Sequence, residues 1–176
     1  PTRLQQQLDR DLQANLADLP TGCDWGCKKN SQSKREYWRG YKAHLDVIDG
    51  DIPVSFILTS ASLHDSQVAI PLAQMSAERI VSLYDLADAA YDAKEIREMS
   101  ARLGHVALID RNPRRGEKIA FSPAEALRYH ERSAAERVNS HLHDEHGGRH
   151  VRVRGPVKVA ARSEEHTSEL QSHGTI

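Results

Sequence analysis

Cysteine is nearly absent: only Cys23 and Cys27 occur in 176 residues. They are spaced Cys-x3-Cys with no second pair downstream. A four-ligand structural zinc and a disulfide framework are therefore excluded, and the two read as free reduced thiols. No apolar run approaches the roughly 18 residues a membrane helix needs, so no membrane partner is expected. No charged-then-apolar leader opens the chain either, although it starts at Pro1 without an initiator Met. An excess of one charge is lacking too, the net value being −1.

That near-neutral balance hides an asymmetry. Residues 1 to 101 hold 11 Lys or Arg against 15 Asp or Glu, a net of −4, whereas residues 102 to 161 hold 12 against 7, a net of +5. A basic half of this kind attracts and positions nucleic acid, and a solvated surface is the plainer alternative for Arg114-Arg115 and for Arg149 to Arg154. The length suits a single domain with its own core.

Leu4, Leu8, Leu12, Leu16 and Leu19 recur at steps of four and three, which predicts one amphipathic helix over residues 3 to 19, ended by Pro20 and Gly22. Gly22 to Glu36 is polar and without a period, and reads as a connection. The β-branched runs Ala43 to Ile48 and Ile52 to Leu58 flank Asp49-Gly50-Asp51, a hairpin signal. A helix is predicted over 67 to 78, a strand over Ile80 to Leu86 with Asp88 just past its end, a helix over Ala93 to Leu103 closed by Gly104, and a strand over His105 to Ile109. Ser122-Pro123-Ala124-Glu125 starts a last helical region, continuous or with a break, reaching Glu145 before Gly147-Gly148. Hairpin, helix, strand, helix, strand, helix in that order predicts an α/β fold, a mixed sheet covered by helices.

Within that last region Tyr129, Arg132, Glu136 and His143 stand at steps of three, four and seven, which places them on one stripe of a helix. The cluster His141, His143 and His146 lies alongside and reads as a solvated face. The spacing Tyr-x2-Arg-x3-Glu resembles the signature of DDE-type insertion-sequence transposases, specifically the insertion-sequence-4-like superfamily, with His143 where that family has Lys. Trp38-Arg39-Gly40-Tyr41-Lys42, His64-Asp65 and the segment Leu86 to Asp92 add to the resemblance. The last is similar to the family's Asp-x-Gly-Tyr box, with Ala90 in place of Gly. The likeness covers residues 38 to 160.

The resemblance implies a ribonuclease-H-like mixed sheet flanked by helices, with its first strand, and the first catalytic aspartate on it, expected upstream of Pro1. It divides the chain into an N-terminal helix and polar connection (1–37), a partial catalytic domain (38–161) and a tail (162–176). Arg162 to His173 resembles the conceptual translation of a sequencing-library adapter and is expected to be artefactual. By resemblance Asp88 and Glu136 are catalytic and metal-binding, and Tyr129, Arg132 and His143 contact DNA. Two Mg²⁺ (or Mn²⁺) ions would be the cofactor, DNA the partner, and a homo-oligomer the full-length state, located in the bacterial cytoplasm with the nucleoid. Hard cations of this kind take oxygen ligands, so three carboxylates from separate elements build such a site. Asp46, in mid-strand, is a candidate for the third, with Asp24 and Asp65 behind it; a first aspartate upstream of Pro1 leaves this chain inactive. The alternative is a degenerate, non-catalytic DNA-binding remnant.

Overall fold

The structure is a computed structural model that describes residues 1–29, 32–117, 120–144, 153 and 155–173, with backbone alone for 115, 143, 144, 164 and 166–173. Helices α1 (Arg3–Leu8) and α2 (Leu12–Ala17) lead into strands β1 (Asp24–Lys29), β2 (Arg35–Ile48) and β3 (Ile52–Ser60). Then follow α3 (Ala69–Ala77), β4 (Tyr84–Ala87), α4 (Lys94–Arg102), β5 (Val106–Ile109), α5 (Pro123–His130), α6 (Ser133–Asp144) and α7 (Pro156–His173). β1, β2 and β3 form an antiparallel sheet in that order, and β4 and β5 a separate parallel pair. This mixed α/β architecture is the expected class and is compatible with a ribonuclease-H-like fold.

The N-terminal helix is two helices rather than one. The Asp11 carboxylate accepts from Ala14 N at 2.8 Å and caps a new helix. The fully buried Asn15 amide donates to Gln7 O at 3.0 Å, holding a carbonyl at the end of α1. A side-chain amide thus supplies the partner that the end of a helix otherwise lacks. The leucine stripe still does what its spacing predicts. Leu4 and Leu8 pack on a core of Ile70, Ala93, Ile96, Met99 and Ile109, while Leu19 joins Ile57, Leu63 and Val68 in a second cluster.

The supposed connection from Gly22 to Glu36 is a second departure, because it contains β1 and the start of β2. Gly26 lies opposite Trp38 in the pairing register. A Cβ on Gly26 would stand 2.3 Å from the Trp38 ring, so the indole lies flat over the glycine backbone. A glycine that reads as punctuation is here a strand residue that makes room for an aromatic. The hairpin between β2 and β3 is as expected, with positive φ at Gly50 (84°) and Asp51 (62°).

Helices α5 and α6 are clipped to that hairpin by ion pairs. Arg128 Nη1 donates to Asp49 Oδ2 at 2.8 Å, and Arg137 Nη2 to Asp51 Oδ1 at 2.6 Å. Both cysteines are free and exposed. Among the described residues no helix is long and apolar enough to cross a membrane.

Candidate active site

β4 runs Tyr-Asp-Leu-Ala and releases the chain at Asp88, whose exposed carboxylate accepts from Ala90 N at 2.8 Å and caps a short 3₁₀ turn. Behind it sits Tyr91, whose hydroxyl is raised above the ordinary phenol range by burial, then by the charges of Asp65 and Asp88. Asp88 thus caps a turn and also borders an open groove of about 890 Å³.

Glu136 comes to the same groove from α6, together with Arg132. The single stripe predicted for this region is corrected here. The chain makes tight i→i+3 bonds at Glu131 N→Arg128 O (3.1 Å), Arg132 N→Tyr129 O (3.1 Å) and Ala134 N→Glu131 O (2.9 Å), which separate α5 from α6. Tyr129 therefore belongs to α5, Arg132 to the joint and Glu136 to α6. The three nevertheless stay together. Arg132 Nη1 donates to Glu136 Oε1 at 2.8 Å, and its guanidinium lies 5.6 Å from the Tyr129 ring centroid. Burial works to lower the Arg132 pKa, but the Glu136 hydrogen bond and the Tyr129, Glu136 and Asp88 charges outweigh it and hold the guanidinium charged. Arg132 is thus the hub joining Asp88 to Glu136. His143 lies on α6, and its side chain falls outside the described residues.

One member of this cluster had no signal in the motif reading. Asp110, just past the end of β5, hydrogen-bonds the Tyr129 hydroxyl. Burial raises the Tyr129 pKa first, and the Asp110 charge adds to it. Its position mirrors that of Asp88, since β4 and β5 are parallel and neighbouring parallel strands end on the same side. That rule of strand ends was the only available clue.

The other candidate carboxylates have different surroundings. Asp46 lines the groove from β2 and takes a hydrogen bond from Ser76. Burial, with the Asp85 charge adding to it, holds its carboxyl above the ordinary range. Asp65 is engaged by Lys42 Nζ at 3.0 Å, with His44 Nδ1 at 3.8 Å. Asp24 starts β1 and hydrogen-bonds Ser62. Oxygen donors suit a hard divalent cation, so Asp88 and Glu136 fit one by chemistry. They fall short by number: among the described residues no group of three or more His, Cys, Asp or Glu side chains converges to hold a metal.

A family model, the transposase DDE domain, matches residues 18–164. The chain belongs to the transposase DDE-domain family. No curated protein and no solved structure matches it. Membership carries a transposase-like function, hence an enzyme family of the nuclease and DNA-recombination kind. Such families typically use divalent metal ions. The DDE-domain match takes in the first three residues of the 162–176 segment and spans every residue of the groove described above.

Proposed function

We propose that this chain carries part of a DNA transposase active site, for metal-dependent phosphodiester cleavage and strand transfer. Asp88 and Glu136 act as two of its carboxylate ligands. The observation that supports this best is the grouping of Asp88, Arg132 and Glu136 on one groove, from three separate elements. Divalent ions, when bound, would activate the attacking oxygen and neutralise charge around phosphorus. The residues of the chain do the rest. Asp88 and Glu136 hold the cations, and Arg132 and Tyr129 meet a DNA phosphate with guanidinium and hydroxyl donors. His143, in the place of the family lysine, donates only when protonated, which weakens its grip at neutral pH.

The Arg132–Glu136 ion pair would compete with a cation for Glu136. A cation held by Glu136 would leave the Arg132 guanidinium to meet a phosphate. The same ion pair, with Ala90 in the place of the family glycine, favours the second reading, a non-catalytic DNA-binding remnant.

Mn²⁺ titration followed by water-proton relaxation separates the two. The catalytic reading expects Asp88→Asn and Glu136→Gln each to weaken Mn²⁺ binding by about tenfold or more, with DNA binding retained. Unchanged Mn²⁺ affinity in both variants would refute the ligand assignment. In a nicking assay with donor-end DNA and Mg²⁺ or Mn²⁺, two carboxylates alone are expected to give no cleavage. Cleavage abolished by Asp46→Ala would make Asp46 the third member of the set.

A further inference from the structure

β1 and the first half of β2 form a two-stranded ribbon whose two faces differ in composition. Trp25 pairs with Arg39, Cys27 with Tyr37 and Lys29 with Arg35. Residues directly opposite one another, and residues two apart along a strand, share a face, so these six stand together. All six are exposed, with Trp25 at 62% and Tyr37 at 61%. The face therefore presents two large rings, three cations and a thiol, and not one carboxylate. The intervening positions make the opposite face, from Asp24, Gly26 and Lys28 across to Glu36, Trp38 and Gly40. That face is closed on itself. The Trp38 ring covers Gly26, Lys28 Nζ lies 3.6 Å from Glu36 Oε2, and Asp24 accepts hydrogen bonds from Ser62 and from Trp25 N, the latter at 2.7 Å.

Trp25 and Tyr37 are diagonal neighbours across the two strands, close enough to make one aromatic surface. Arg35 donates to the Tyr37 hydroxyl, which sets a guanidinium beside that surface. Aromatic rings of this kind take the flat faces of bases, and flanking Lys and Arg take the phosphates between them. The charge of the face, all positive, complements a polyanion. A duplex is a poor fit, because its bases show only their edges. Lodging the ribbon in a duplex groove would also bring phosphates to Asp24 and Glu36 on the opposite face. We propose that the face carrying Trp25, Tyr37, Lys29, Arg35 and Arg39 is a binding site for single-stranded DNA, with bases stacked on the rings and phosphates held by the three cations. DNA rather than RNA follows from the family to which the chain belongs. None of these residues lines the groove of Asp88 and Glu136. β2 connects the two sites, since its Leu45 to Ile48 segment lines the groove, roughly 20 Å along the strand from Arg39. An unpaired stretch of DNA held on the ribbon would thus lie outside the carboxylate site but on the same element. The inference rests on neither carboxylate and on no metal ion.

The probe is a fluorescein-labelled oligo(dT) of about 12 nucleotides, followed by anisotropy with the whole chain in EDTA, so that no metal-dependent contact contributes. Binding is expected to be saturable. The double variant W25A/Y37A should weaken it at least about tenfold, while binding of a duplex of the same length changes by less than about twofold. K29A/R35A/R39A should lower the slope of log affinity against log salt by about 2. K28A/E36A, on the opposite face, should leave oligo(dT) affinity within about twofold of the parent. All these positions are exposed, so the circular dichroism spectrum should not change. Cys27 locates the bound strand directly: in a Cys23→Ser background, oligo(dT) should slow its reaction with a maleimide. Absence of saturable binding, undiminished binding by W25A/Y37A, or unchanged Cys27 reactivity in the complex would each overturn the proposal. So would an equal loss of duplex binding, which would make the ribbon a duplex-binding arm, or tighter binding of oligo(U), which would make RNA the ligand. Self-association of the chain that W25A/Y37A abolishes would make the face an interface between copies, and would overturn it as well.

Discussion

His44 has a buried imidazole on β2, with Nε2 2.9 Å from Thr59 Oγ1, and burial lowers its pKa to about 4 despite the opposing pull of Asp65. The folded chain therefore takes up this proton far less readily than the unfolded chain, whose histidine titrates near 6.5. The stability that a neutral His44 contributes is complete above about pH 6.5 and is lost as pH falls toward 4, by roughly 3 kcal/mol. Denaturant unfolding of His44→Gln across that window should show a flatter pH dependence than the parent chain, and an unchanged slope would contradict it. Asp46 behaves in the opposite sense. Its raised pKa means the folded state resists the carboxylate form, so its penalty is absent below about pH 4 and grows as pH rises through the folded pKa. Asp46→Asn keeps a partner for Ser76 and removes the charge, and is expected to stabilise the chain by about 1 kcal/mol or more at pH 7. Unfolding at pH 3.5 should show that gain largely gone.

Elements here are fixed by contacts that a one-dimensional pattern records unevenly. Gly26 shows this at β1, where replacement by Ala puts a methyl into the Trp38 ring. The indole must leave, and Gly26→Ala should cost roughly 1 to 3 kcal/mol and expose Trp38. A red shift in tryptophan emission reports the exposure, and an unshifted spectrum at unchanged stability would show that the ring does not depend on the glycine. Apolar and β-branched runs announced β3 and β5, and helix entry and stop signals announced α3 and α4, to within a few residues. Periodicity missed β1 because the strand is exposed along all but Gly26, so it carries no alternation. It fused α1 with α2, and left the break between α5 and α6 unplaced, for a different reason. Those joints are set by hydrogen bonds, from Asp11 and Asn15 in one case and the i→i+3 turn at Arg132 in the other, which leave the apolar spacing untouched. The motif's fixed offsets pointed to Asp88 and Glu136, which the fold brings to one groove. The motif was silent on Asp110, whose role depends on two parallel strands ending side by side.

At the scale of the molecule, the C-terminal helix α7 is held to the domain near its start. α7 runs from Pro156 to His173 without a break. Its packing lies near its start, where Val159 is 5% exposed and Ala160 borders a small apolar hollow with Phe56 and Leu58. Arg162 Nη1 lies 3.7 Å from Glu165 Oε2, and Ser163 Oγ donates to Val159 O at 3.0 Å. Surface pairs of this kind contribute little, and an isolated polar helix end is weakly held. A chain ending at Ala161 keeps Val159 and Ala160, so its melting temperature should stay within about 1 °C of the parent, with only a loss of helical circular dichroism. A truncation that instead lowers the melting point by several degrees would show that residues 162 to 176 pack on the domain, which would end their reading as an artefactual tail.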